Sequence, residues 1–348
     1  MSARGVLVSG SLHMAPTPET TTLSVEFTRE KFPAMMHLSR FSPPALVGLS
    51  IAVAMIPWAA VPAAPPAPPP AWVLRDGDRV VFLGDTFIER EGDRGFIETA
   101  LVAAHPEAAL TFRNLGWSGD TVWAESRGVF DPAAKGYERM LGLVRELEPT
   151  IIFVAYGRNE SFKGDAGLAA FRGQLGKLCD DLRTAAHANA PQDVRLVLVT
   201  PHRFELLDAD ARNAALAPYS QAIREVAAEK QAGLVDLFAR LPEITAGAAV
   251  TENGVHLSNV GYAQAARVFV EAGGRPLPTE STDPSAALRK LVVAKNTLFF
   301  HRWRPANETY IFLFRKHEQG NNAVEMPQFD ALVKEAEQKV QNSAKELR

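Results

Sequence analysis

The sequence has the pattern of an α/β domain built on a parallel, doubly wound sheet. Three observations predict it. Short apolar runs alternate with helical patterns between Arg79 and Ala272, the spacing of right-handed strand–helix–strand crossovers. The two strongest runs, IIFVAY (Ile151–Tyr156) and VRLVLVT (Val194–Thr200), are nearly all apolar and rich in β-branched residues, as in strands covered on both faces. The composition is that of a globular protein, with 47% hydrophobic and 22% charged residues among 348.

The elements follow in order. Residues 1–71 read as targeting segment and linker rather than fold. No charge occurs from Pro44 to Trp72, and Arg40 stands just before that stretch. Basic flank, apolar core and an A-x-A-like site near Ala59–Ala64 form the order of a secretory signal, followed by a stiff proline linker, Pro62–Pro70. The expectation is an exported protein, periplasmic or extracellular, that meets a membrane only transiently through this signal. An uncleaved anchor is the rival reading, and Pro57 interrupts its apolar run.

Residues 72–275 hold the predicted domain. Val80–Leu83 is the first strand, ending at Gly84-Asp85-Thr86. A helix over Phe96–Ala104, a strand over Leu110–Leu115 and a helix over Pro132–Leu147 come next, the last started by Asp131 as cap and Pro132 as first residue. Ile151–Tyr156 is the third strand, Ala166–Ala188 a helix, Val194–Thr200 the fourth strand, Ala209–Gln231 a helix and Leu234–Leu237 the fifth strand. A further helix, Gly261–Ala272, follows the segment ENGVHLSN. Residues 276–348 form a C-terminal extension. Its middle, from Leu298 to Pro327, mixes aromatics with charges without a clean period, and Phe329, Leu332, Val333, Ala336 and Val340 mark an amphipathic closing helix.

Composition also excludes. A net charge of −3 and a pI near 6.3 give no electrostatic reason to expect nucleic acid. The one cysteine, Cys179, permits neither an internal disulfide nor a cysteine-based zinc site, and reads as a small buried apolar residue.

Polar clusters follow the strands where a doubly wound sheet binds its ligands: Gly84-Asp85-Thr86, Gly119-Asp120-Thr121, Gly157-Arg158-Asn159-Glu160 and, beyond the fifth strand, His256. Each alone is a common way to end a strand. In this order they resemble the SGNH, or GDSL-type, hydrolases, whose pattern is G-D-S, N-x-G-x-x-G, G-x-N and D-x-x-H. The matches are Gly84-Asp85-Thr86, Asn114-x-Gly116-x-x-Gly119, Gly157-x-Asn159 and His256.

The resemblance implies a flavodoxin-like three-layer sandwich whose five-stranded parallel sheet runs in the order 2-1-3-4-5. It implies an esterase or deacylase in which a hydroxyl attacks an ester carbonyl and His256 is the general base. The oxyanion is then held by Gly119, Asn159 and the nucleophile's own N–H. No metal or organic cofactor is implied, and the partner expected is a small-molecule or carbohydrate ester.

Two positions depart from the pattern. Thr86 stands for serine; its methyl crowds the attack and restricts χ1. It is read as nucleophile, as N-cap of the helix that follows, or as both. Asn253 stands for the aspartate three residues before His256, and an amide can position imidazole but favours the wrong tautomer. Glu252, one methylene longer than aspartate, is the alternative partner for His256. These departures keep a second reading open, a catalytically silent sugar- or anion-binding module on the same fold. His202 and Arg203, after the fourth strand, either border the substrate or face solvent, and Arg315 and His317 belong to a surface turn or a lid.

Overall fold

The computed structural model describes residues 72–187, 189–190, 193–275, 285–318 and 322–347. The signal and linker expected over residues 1–71 lie outside them.

Alternation within the apolar runs sets the layers. In β1 (Arg79–Gly84) Val80 and Phe82 point to one side of the sheet, Val81 and Leu83 to the other, as a period of two requires. β2 (Thr111–Gly116), β3 (Ile151–Ala155), β4 (Arg195–Thr200) and β5 (Gly233–Asp236) complete a parallel sheet in the order β2-β1-β3-β4-β5. This is the order the resemblance implied, and helices cover both faces.

One face is packed by α1 (Thr86–Arg94), α2 (Phe96–Ala103), α6 (Leu237–Ile244) and α7 (Asn259–Ala272), around Phe82, Phe112, Phe153 and Phe269. On the other face lie α3 (Ala133–Leu147), α4 (Gly164–Ala186) and α5 (Ala209–Glu229), around Ile152, Val154, Phe171 and Tyr219. Cys179 is a buried free thiol on α4. The expected start of α3 shifts: Pro132 takes the cap position, and the Asp131 carboxylate accepts from Arg139 at 2.6 Å instead.

The extension carries α8 (Ser285–Trp303), the short α9 (Glu308–Ile311) and the expected closing helix, α10 (Gln328–Glu346). α8 packs Leu288 and Val292 into the first core layer and Phe299 and Trp303 into the second, so it straddles the β2 edge of the sheet. An edge strand exposes unpaired backbone groups. Here Lys295 Nζ of α8 donates to the Phe112 carbonyl at 3.0 Å, and the Glu337 carboxylate of α10 accepts from the Phe112 N–H at 3.2 Å. Lys295 is fully buried and is neutralised by Glu98 of α2 at 2.7 Å. The extension thus closes the edge with paired charges.

Candidate active site

The polar clusters converge at the carboxyl ends of the strands. β1 delivers Gly84-Asp85-Thr86 directly into α1. Asp85, not Thr86, caps that helix: its carboxylate accepts from the Phe87 N–H at 2.9 Å, and Thr86 is the first helical residue. The capping role expected of Thr86 therefore passes to its neighbour. Thr86 Oγ1 is left to accept from the Gly119 N–H at 3.0 Å. As a first-turn residue, Thr86 also has a backbone N–H with no partner inside the helix. Burial raises Asp85 to about 6, against the lowering charge of Arg158.

The loop after β2 brings Gly119 to this point by close packing. A Cβ at Gly116 would lie 2.1 Å from the backbone nitrogen of Glu89, so only glycine lets β2 pass beneath α1. Asn114 fastens the two, donating to the Ile88 carbonyl at 2.7 Å and accepting from the Gly116 N–H at 2.8 Å. Gly119 has a φ of +73°, a left-handed conformation that aims its N–H at Thr86.

Asn159 follows β3. Its amide donates to the Asp120 carbonyl at 2.8 Å, and since an amide carries two N–H groups, one remains for a substrate oxygen. Glu160 ties the same two loops together by accepting from the N–H groups of Val122 and Gly157, each at 2.8 Å. Burial pushes its carboxyl up to about 7. Beneath them the buried Asp120 carboxylate accepts from Arg127 at 2.6 Å and from the Tyr156 hydroxyl at 2.9 Å.

Thr86, Asn159 and His256 line one small pocket of about 60 Å³, with Phe87, Arg158, Phe162, His202, Phe204 and Tyr262. His256 is half-buried in the loop before α7. Its imidazole is held below the usual histidine range by burial first, then by the charges of Arg90 and Arg158, with Glu252 opposing.

The two expected orienters of His256 are engaged elsewhere. The Asn253 side chain accepts from the backbone N–H groups of Val255 and His256, at 3.1 and 2.8 Å, and so shapes the turn rather than the ring. The Glu252 carboxylate is taken by Arg90 and, at 3.0 Å, by Arg94. Among the described residues no carboxylate hydrogen-bonds the imidazole. The structure thus brings together Thr86, Gly119, Asn159 and His256, and turns Glu252 and Asn253 to other partners.

A match to a family model decides the family. The model for GDSL-like lipases and acylhydrolases covers residues 82–264, more than half of the chain. The chain belongs to the GDSL-like lipase/acylhydrolase family. Its domain is that of a hydrolase acting on ester bonds. Similar solved structures include the acetylxylan esterase Axe2 of Geobacillus stearothermophilus, 20% identical over 59% of this chain and 98% of that one, with a TM-score of 0.47. Another is LAE5, an alpha/beta hydrolase enzyme from a lake metagenome, 22% identical over 58% and 97% of the two chains, with a TM-score of 0.43. No curated protein sequence matches the chain.

Arg158 is the residue of this GDSL-like site for which the sequence suggested no role. Arg158 is a buried guanidinium that donates to the Val255 carbonyl at 3.0 Å and to the His202 carbonyl, binding the loop after β3 to those carrying His202 and His256. Its place between Gly157 and Asn159 was the available signal. His202, for which a solvent-facing position was one reading, is buried in the pocket wall and kept neutral by burial and by Arg158. Arg203 turns away to the Phe238 carbonyl at 3.0 Å. Arg315 is held by Glu318 and lies over the Tyr310 ring, so the turn reading holds there.

Proposed function

We propose that this hydrolase is an exported esterase or deacylase that removes short acyl groups, with acylated carbohydrate as the substrate class, by acyl transfer through Thr86 and His256. The observation that carries the proposal is the Gly119 N–H 3.0 Å from Thr86 Oγ1, on a pocket shared with Asn159 and His256. A donor at that distance from the attacking oxygen is within reach of the oxyanion, which forms two bonds from Oγ1, on the acyl carbon.

Neutral His256 takes the Thr86 proton as Oγ1 attacks the carbonyl carbon. The developing oxyanion is met by the N–H groups of Gly119 and Thr86 and by the Asn159 amide. The imidazolium then protonates the departing alkoxide, and a water molecule repeats the sequence to free the acid. The small pocket favours a short acyl group. Without a carboxylate on the imidazole the machinery is a dyad, for which slow turnover is expected.

The pH profile follows from the same groups. His256 acts as base only when neutral, so kcat/KM rises with pH as the imidazolium loses its proton. Burial and the charges of Arg90 and Arg158 lower its pKa, which places the midpoint of the rising limb below 6.5. Arg90→Ala should move that midpoint upward. A midpoint above 6.5 in the unaltered protein would contradict the environment assigned to His256.

The turnover of a small acetyl ester by the purified protein tests the proposal. One set of observations favours the silent binding module: Glu252 is held by arginines and Asn253 is used in a turn. That reading predicts no turnover but retention of a sugar or anion in the pocket. Export is supported by the order of Arg40, apolar run and small residues, and N-terminal sequencing of protein from the cell envelope tests it. A chain beginning between about Ala59 and Trp72 is expected; one that keeps residues 44–58 points to an anchor.

A further inference from the structure

The loop that carries Gly119 is held from outside the family domain. Trp117 opens that loop, and two guanidinium groups lie over its ring: Arg127 at 5.7 Å and Arg304 at 3.6 Å. Arg304 belongs to the C-terminal extension, one residue beyond α8 and well past the matched residues 82–264. Its guanidinium also pairs with Glu89 at 2.8 Å. Glu89 stands on α1 three residues after Thr86, and its carboxylate accepts the N–H of Ser118, next to Gly119. Trp303 packs edge-on against Trp117 at 6.0 Å.

The contacts on the loop therefore run in sequence. Arg304 and Trp303 fix the Trp117 ring, Glu89 fixes the Ser118 N–H, Thr86 receives the Gly119 N–H, and Arg127 with Tyr156 fixes Asp120. Asp120 in turn offers its carbonyl to Asn159. Gly119 itself is exposed, left-handed and without a side chain, so nothing of its own restrains it. An oxyanion donor acts through being fixed before charge develops. The restraint has to come from neighbours, and one end of it is supplied by the extension.

We infer that Arg304 is a positioning residue for the oxyanion loop, acting through Trp117 and Glu89, and that the C-terminal extension is in this way a working part of the active site. The catalytic consequence rests on the esterase reading; the restraint on the loop does not.

The experiment uses the full chain and two readouts. Amide hydrogen exchange over residues 117–121 reports the restraint directly. Arg304→Ala should speed that exchange about tenfold, the scale of one lost cation–π contact with its ion pair, while exchange in β1 and β3 stays unchanged. Arg304→Lys, which keeps the charge for Glu89 and the ring, should restore most of the protection. With a small acetyl ester, Arg304→Ala should lower kcat about tenfold and leave KM within about twofold, because the loop acts on the transition state and not on binding.

Unchanged exchange over 117–121 in Arg304→Ala overturns the inference whether or not the protein turns over ester. Faster exchange throughout the chain, not reversed by lysine, overturns it as well, since Arg304 would then serve only the fold. Local loosening together with an inactive unaltered protein upholds the restraint and counts against the esterase reading alone.

Discussion

Thr86→Ala and His256→Ala should each abolish measurable turnover of a small acetyl ester, and the double variant should be scarcely slower than either. Attack and proton removal are one event, so removing either partner removes the whole of it. Thr86→Ser should be faster than the unaltered protein, because it keeps the oxygen and removes the methyl that crowds its approach. The fold should register these changes little. Asp85 caps α1, so Thr86→Ala leaves the cap in place and removes only the hydrogen bond from the exposed Gly119 N–H, a loss of about 1 kcal/mol or less. Steady-state rates with thermal melting check both halves. Full activity in Thr86→Ala would remove the nucleophile from this account.

Asn159→Ala should lower kcat ~10²–10³-fold, the usual cost of one oxyanion donor, with KM little changed. The size of the effect depends on the neighbours being spared. Asn159 donates to the Asp120 carbonyl, but Glu160 independently ties the β2 and β3 loops through Val122 and Gly157, so the alanine variant should keep the loop in place. Unchanged kcat with native-like melting would put the oxyanion hole elsewhere. Asn159→Asp separates charge from shape, for a carboxylate at this position repels the oxyanion and should be at least as damaging as alanine.

Most of the fold was legible because the signals were local. Val80–Leu83, Ile151–Tyr156 and Val194–Thr200 are short, apolar and buried on both sides, and each became a central strand with no end moved by more than one residue. α8 was illegible for a physical reason. Its apolar residues divide between two core layers, and Lys295 and Asn296, which look like surface positions, are buried against the β2 edge and Glu98. No single amphipathic stripe results, so the period that revealed α10 is missing.

The candidate site divides the same way. Thr86, Gly119 and Asn159 were readable because each sits in a motif just beyond a strand, where topology brings such residues together, and His256 because its segment completes the order of motifs, although α6 separates it from β5. The partners of Glu252 were not, since Arg90 and Arg94 lie about 160 residues away in sequence and only the packing of α1 against the His256 loop brings them close. Asp85 and Thr86 are both competent caps, and the choice turned on where α1 begins. Position beyond a strand marked Arg158 and His202, but their roles come from burial where the loops carrying Asn159, His202 and His256 meet, which only the packing fixes.

Covalent labelling decides whether Thr86 is the nucleophile. The purified protein is treated with a fluorophosphonate probe, digested, and the modified peptide located by mass spectrometry. One label is expected, on Thr86 Oγ1, lost in Thr86→Ala, strongly slowed in His256→Ala and faster in Thr86→Ser. Ester turnover with the label on another residue, or with none, would contradict it.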